Sequence, residues 1–283
     1  MTAEKLKESI QDLVELPTLP SVVAELIGQI ESPDSTAADI ERILVNDPAL
    51  GAKVLKLVNS AFYGMTKKVG SIRQAIVILG FSTIRSLAIS ASVIDIFKDR
   101  KSKHLHMKDF WTHSIGNAAA ARMIALEARE PDAELYFVCG LLHDIGKLAL
   151  SIIAERQFNK TLKLAERKGL AFYDAEAFVF TRPVHEDAAF WLCESWQLPE
   201  RIIMASGNHH KVISNPELGK HAAAVALANY LCASNKMGHS GNFCDPVFPE
   251  NAQGCFPGLD FDRVSEMFSS EIDKTSGISE VLA

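Results

Sequence analysis

Along nearly the whole chain, apolar residues return every three or four positions, and the two-residue alternation of a half-buried strand is hard to find. That rhythm limits the chain to an all-α fold of short helices, each burying one stripe. "LPSVVAELIGQI" sets Pro20 at a first turn ahead of Val22, Val23, Leu26, Ile27 and Ile30. "DSTAADIERILVNDPAL" offers Asp34 or Ser35 as a cap, aligns Ile40, Ile43 and Leu44, and closes at Asn46-Asp47-Pro48. Pro48 starts a further helix through Leu50, Val54, Leu57 and Val58. At 283 residues the chain can bury one sizeable core and fill two lobes.

The pattern divides into an N-terminal helical lobe (1–98), a charged linker (99–108) and a second helical lobe (109–283). In the second lobe, Asp109 is placed to cap "DFWTHSIGNAAAARMIAL". "ELYFVCGLLHDIGKLAL" reads as one continuous helix, and "RPVHEDAAFWLCESW", "PERIIMASGNHHKV" and "GKHAAAVALANYLC" follow. Residues 236–259 turn to Gly, Asn, Pro and Cys, a long loop that suggests function or mobility rather than core. "DFDRVSEMFSSEI" reads as a final helix before a frayed polar tail.

A net charge of −6 argues against general nucleic-acid binding. Five cysteines without a C-x-x-C pair fit a reduced, intracellular chain. The polar start "MTAEKLKESIQDL" lacks the form of a signal peptide. The apolar run Ala75–Phe97 has the length of a membrane span, but Arg85 near its centre and the break at Gly80 and Ser82 make it two core helices. A cytoplasmic location is expected.

Within "FVCGLLHDIGKLAL" (137–150), His143 and Asp144 stand side by side in an apolar run. A buried carboxylate needs a partner. On one helix these neighbours point about 100° apart, so they can share a metal more easily than bond each other. His113 shares its face with Phe110, Asn117, Ala120 and Ile124, and His185 shares its own with Ala188, Ala189 and Leu192. His209 and His210 follow Ile202, Ile203 and Ser206. Imidazoles with a carboxylate suit Fe, Mn or Zn. Each of these histidines taken alone is more often a satisfied core residue. His104, His106, His221 and His239 read as surface or packing residues, with a site of His239, Cys244 and Cys255 as a remote option.

"FWTHS…GLLHDIGKLAL…VHEDAAFWLCESWQLPERIIMASGNHH" resembles the HD superfamily of metal-dependent phosphohydrolases. The pattern of "LP-x-LP", "DPAL", "LK-x-VNSAFYG" and "AI-x-x-LG" resembles its HDOD subgroup, from about Leu16 to Leu231. The resemblance implies an HD-like helical bundle with metal ligands at His113, His143, Asp144, His185, His209 and His210. It gives Asp144 and Lys147 catalytic roles, Lys147 against a substrate phosphate. Asn229 stands where the superfamily has a last aspartate ligand, and "GNHHKV" is not followed by a Gly-Tyr-Pro motif.

From Pro48 to Ile94 there is no acid, while Lys53, Lys56, Lys67, Lys68, Arg73 and Arg85 are basic. This is a solvated face or a surface for an acidic partner or phosphate-bearing ligand. The expectation is a bacterial signalling module that binds a partner or ligand, its HD site retaining a divalent metal. The alternative is an active phosphohydrolase on a nucleotide or cyclic dinucleotide. The oligomeric state stays open.

Overall fold

The computed structural model describes residues 3–11, 18–29, 32, 34–98, 104–211 and 216–282, and among them there is no strand. Leu16 and Pro17 of the "LP-x-LP" pattern and residues 99–103 of the expected linker lie outside the described residues.

The first helices follow their apolar stripes: α1 (Ala3–Gln11), α2 (Ser21–Gly28), α3 (Ala37–Asn46) and α4 (Pro48–Val58). Pro20 is the N-cap of α2 rather than its first turn. The cap of α3 is Thr36, not Asp34 or Ser35: its hydroxyl accepts from the Asp39 N–H while the Asp39 carboxylate accepts from the Thr36 N–H. Asp47 accepts from the Leu50 N–H at 3.0 Å, so the residue that ends α3 also starts α4. After a short 3₁₀ turn (Ala61–Tyr63) come α5 (Ile72–Leu79) and α6 (Phe81–Phe97). Gly80, at φ 84°, separates them in the left-handed region that favours glycine.

The second half holds α7 (Met107–Glu127), α8 (Ala133–Leu142), α9 (Ile145–Ile153), α10 (Glu155–Lys168), α11 (Phe172–Phe180) and α12 (His185–Ser195). It continues with α13 (Glu200–Asn208), α14 (Pro216–Ser234), α15 (Glu250–Gln253), α16 (Phe261–Ser270) and α17 (Ile272–Leu282). Three expectations change here. Helix α7 starts at Met107, and Asp109 sits inside its first turn rather than capping it. The 236–259 stretch is not peripheral: Met237, Ala252 and Phe256 belong to the core. The polar tail is not frayed, because α17 packs on α7 and α4 and buries Thr275.

One apolar core runs from Leu6 and Ile10 on α1 through α4, α6, α8 and α9 to Val225 on α14. A second cluster fills the space between α7, α14 and the late helices. The segment Ala133–Ile153 is long and apolar enough to cross a membrane by composition, but 83% of its apolar window is buried inside the protein. It is the central element against which α7, α12, α13 and α14 are arranged.

Candidate metal centre

The central segment is not one helix. It breaks between α8 and α9 at His143 and Asp144, where the Asp144 backbone leaves the helical region at φ −97°, ψ 9°. Two glycines fix this break in space. A Cβ on Gly140 would fall 2.7 Å from the Ala118 Cα and the Asn117 carbonyl oxygen, so α8 touches α7 backbone to backbone. A Cβ on Gly146 would overlap the His185 carbonyl oxygen, so α9 touches α12 in the same way. The His-Asp pair therefore lies between two close helix crossings, one beside His113 and the other beside His185.

Because the helix breaks there, His143 Nε2 and Asp144 Oδ2 approach to 3.2 Å, a contact that adjacent residues on a continuous helix would not make. Asp144 is the hub. Its Oδ1 lies 3.8 Å from His185 Nε2 and 3.6 Å from His209 Nε2, and its Oδ2 accepts from Lys147 Nζ at 2.8 Å. The five rings form a connected chain, with centroids from 4.4 to 5.4 Å apart from His113 through His143, His209 and His185 to His210. His113, His143, Asp144, His185 and His209 are buried; His210 is the most open of the set.

Hydrogen-bond partners assign the tautomers. His143 Nδ1 lies 2.7 Å from the Gly140 carbonyl, His209 Nδ1 3.0 Å from the Ser206 carbonyl, and His185 Nδ1 2.6 Å from Glu176 Oε2. Each Nδ1 carries the proton and donates it outward. Each ring thus aims its Nε2 inward, the orientation a ligating histidine needs. His185 Nε2 and His209 Nε2 then face each other at 3.4 Å. Two lone pairs at that separation require a proton or a cation between them.

His113 Nε2, His143 Nε2 and Asp144 Oδ1 are buried without a well-formed hydrogen bond, the contact of His143 Nε2 being to the neighbouring Asp144 Oδ2. A buried polar atom left without a partner is costly, so such a group is built to be engaged. Ligand-type atoms of His113, His143 and Asp144 all lie within 4.8 Å of one another, and those of His185, His209 and His210 do likewise. Burial pushes the His113 imidazole down to about 3, assisted by its neighbour His143. Burial also lowers His209. Burial would raise the Asp144 carboxyl, but His143 and Lys147 beside it hold it well below the usual range. Imidazoles around an ionised carboxylate are a metal donor set, and the residues fit a divalent ion.

Lys147 is not a solvated helix residue. It is 1% exposed, donates to Asp144 Oδ2 and, at 3.3 Å, to Ser240 Oγ, and sits 5.1 Å from the centre of the Phe172 ring. Ser240 belongs to the late loop, which is tied down nearby. The His239 N–H donates to the Asp109 carbonyl, the Phe243 N–H to the Leu170 carbonyl, and Asn242 Oδ1 accepts from the Phe172 N–H. Half-buried His239 bonds within this loop, and among the described residues it forms no cluster with Cys244 and Cys255. Asn229 is half-buried, with its Oδ1 buried and unpartnered. Of the other histidines, His221 stacks on Tyr136 at 4.2 Å.

A model of the HDOD domain matches residues 16–212, well over half of the chain. This chain belongs to the HDOD domain family. An HDOD domain protein of unknown function from Geobacter sulfurreducens superposes with a TM-score of 0.88, at 25% identity over 99% of this chain and 98% of that one. A Shewanella amazonensis protein, provisionally assigned as a phosphohydrolase, shares the fold with a TM-score of 0.76, at 23% identity over 98% of each chain. An uncharacterised Treponema pallidum protein is 29% identical over 231 residues, 80% of this HDOD chain and 44% of that protein. The chain thus spans less than half the length of that curated relative. The HDOD match ends at residue 212, before α14 and the loop that carries Ser240.

Sequence reasoning missed Glu176, Glu186 and Ser240. Buried Glu176 accepts from the Val184 and His185 N–H groups and from the His185 ring, and so sets that imidazole's orientation. A signal was available: Phe172, Glu176 and Phe180 stand at four-residue spacing, with an acid in an otherwise aromatic stripe. Glu186 accepts from the His210 N–H at 2.9 Å. No local pattern points to Ser240, which reaches Lys147 across 93 residues of chain.

Proposed function

We propose that this HDOD chain is a regulatory signalling module whose HD site holds a divalent transition ion, Fe, Mn or Zn by its nitrogen-rich donor set. One observation carries the reading: the unpartnered, buried atoms of His113, His143 and Asp144 converge beside His185 and His209. His143, His185 and His209 present Nε2, Asp144 supplies the charge, and Glu176 orients His185. When bound, the ion would acidify a water and could supply a nucleophile near neutral pH. Two features favour regulation over turnover. The Lys147 ammonium is engaged by Asp144 and Ser240 rather than directed at solvent. Asn229, a neutral side chain, stands where the resemblance to the HD superfamily sets a last aspartate ligand, so Asp144 is the one carboxylate among the candidate ligands.

A second reading, a metal-dependent phosphohydrolase on a nucleotide or cyclic dinucleotide, is supported by the pairing of two adjacent ligand clusters about Asp144, since two-metal sites clamp the attacking and leaving oxygens of a phosphoester. Elemental analysis of protein purified without chelator is expected to show bound transition metal that is lost in His143→Ala and Asp144→Ala. Assay of the loaded protein against a nucleotide panel is expected to show no turnover. Metal-dependent turnover abolished by those two substitutions would move the assignment to the enzyme, and metal-free wild-type protein that does not take up added Zn or Mn would remove both readings.

The partner side of the proposal rests on a smaller surface than the sequence suggested. Lys53 pairs with Asp95, Arg73 with Glu41 at 3.0 Å, and buried Arg85 with Asp132 at 3.7 Å and the Gln29 carbonyl. Lys56, Lys67 and Lys68 remain exposed and, among the described residues, outside ion pairs. They are the face an acidic signalling partner or phosphate-bearing ligand would meet. In a pull-down, reversing Lys67 and Lys68 to Glu should reduce partner recovery without changing metal content; unchanged recovery would exclude this face.

A further inference from the structure

Beyond the residues of the HDOD match, Tyr230 at the end of α14, Phe248 ahead of α15 and Phe261 at the start of α16 meet in one aromatic cluster. Tyr230 and Phe261 each lie 5.1 Å, edge to face, from Phe248, and Tyr230 and Phe261 are 6.2 Å apart. All three rings are half-buried at the edge of the second core cluster and line an open cavity of about 470 Å³. Asp260 and Asp262 stand on the same wall, and no Lys or Arg lines it.

The charge at this cavity is uncompensated. Among the described residues neither aspartate is in an ion pair, and Arg263 between α16 and α7 turns away to Glu127 at 3.4 Å. Asp260 accepts from the Arg263 N–H as the α16 cap, so part of its charge faces the helix start. That start contributes only about half a positive charge, less than two carboxylates supply. Aromatic rings lining a cavity beside unpaired carboxylates attract a weakly hydrated cation. A strongly hydrated metal ion would need more oxygen ligands than two separate aspartates offer.

We propose that this cavity binds a small organic cation of the quaternary-ammonium type, its methyl groups against Tyr230, Phe248 and Phe261 and its charge towards Asp262. The site is independent of the metal centre, and its failure leaves that reading untouched. Ligand-observed NMR of the full chain with choline should show binding in the millimolar range. The neutral isostere 3,3-dimethylbutan-1-ol, identical in shape, should bind at least about fivefold weaker, since it keeps the apolar contact and loses the cation–π attraction. Phe261→Leu, which keeps apolar volume without a π face, and Asp262→Asn should each weaken choline by about threefold or more, with unchanged circular dichroism. Equal binding of choline and its neutral isostere, no choline binding at tens of millimolar, or choline binding unaffected by both folded variants would each overturn the proposal. The isostere comparison needs no substitution, so it stands even if a variant fails to fold.

Discussion

Glu176 shows how much of the site is set by a residue that is not itself a ligand. Its two oxygens accept from two backbone N–H groups and the His185 ring, all within a buried pocket. A carboxylate in that place fixes the imidazole's orientation and keeps Nε2 turned to the site. Glu176→Gln keeps the shape but cannot hold both arrangements of donors with the same charge. We expect metal affinity to fall about tenfold while the helix content stays unchanged, read by competition with a chromophoric chelator. Unaltered affinity would mean that Glu176 only closes the α11–α12 corner. Asp144 is the other decisive residue: legible in the sequence as a buried acid needing a partner, it turned out to contact His143 directly because the helix ends there.

At the level of elements, two helix crossings carry the geometry. Gly140 and Gly146 flank the His-Asp pair, and both sit where a neighbouring backbone leaves no room for a Cβ. The same residues in an exposed helix would merely cost helix propensity. Gly146→Ala should therefore destabilise the fold by about 3 kcal/mol in urea denaturation, as overpacking against a backbone does, and displace His185 with it. A loss below about 1 kcal/mol, or the gain of up to about 1 kcal/mol that Gly→Ala gives in an exposed helix, would show that α9 and α12 can separate freely. Stripe and cap arguments found most helices, since those rest on local spacing. They misplaced the α3 cap by one or two residues, because Asp34, Ser35 and Thr36 are all competent caps and only the reciprocal bond with Asp39 selects Thr36.

Over the whole molecule, the two ends of the chain pack on the opposite half. Helix α1 lies on α12 and α9, the helices that flank the His-Asp pair, while α17 lies on α4 and the 3₁₀ turn at 61–63. Leu6 and Ile10 of α1 are almost wholly buried in the core that continues to α14. Leu6→Ala should cost about 2–5 kcal/mol, the range for truncating a buried leucine. The variant should still melt in a single calorimetric transition, at lower temperature. Two separate transitions would show that the halves fold apart and that the shared core adds little cooperativity.

Local spacing established that this chain is helical and drew attention to His113, His143, Asp144, His185 and His209, which the fold buries, because helix periodicity is written in neighbours three and four positions apart. The HDOD likeness lay in the motif residues, and His210 proved the most open of the site's histidines. The tertiary structure decided the break at His143 and Asp144, the burial of Lys147 against Ser240, the role of Glu176, and the docking of the late loop and α17 into the core. Those contacts join residues 9 to more than 90 positions apart. Packing between elements, not propensity along them, selects such partners.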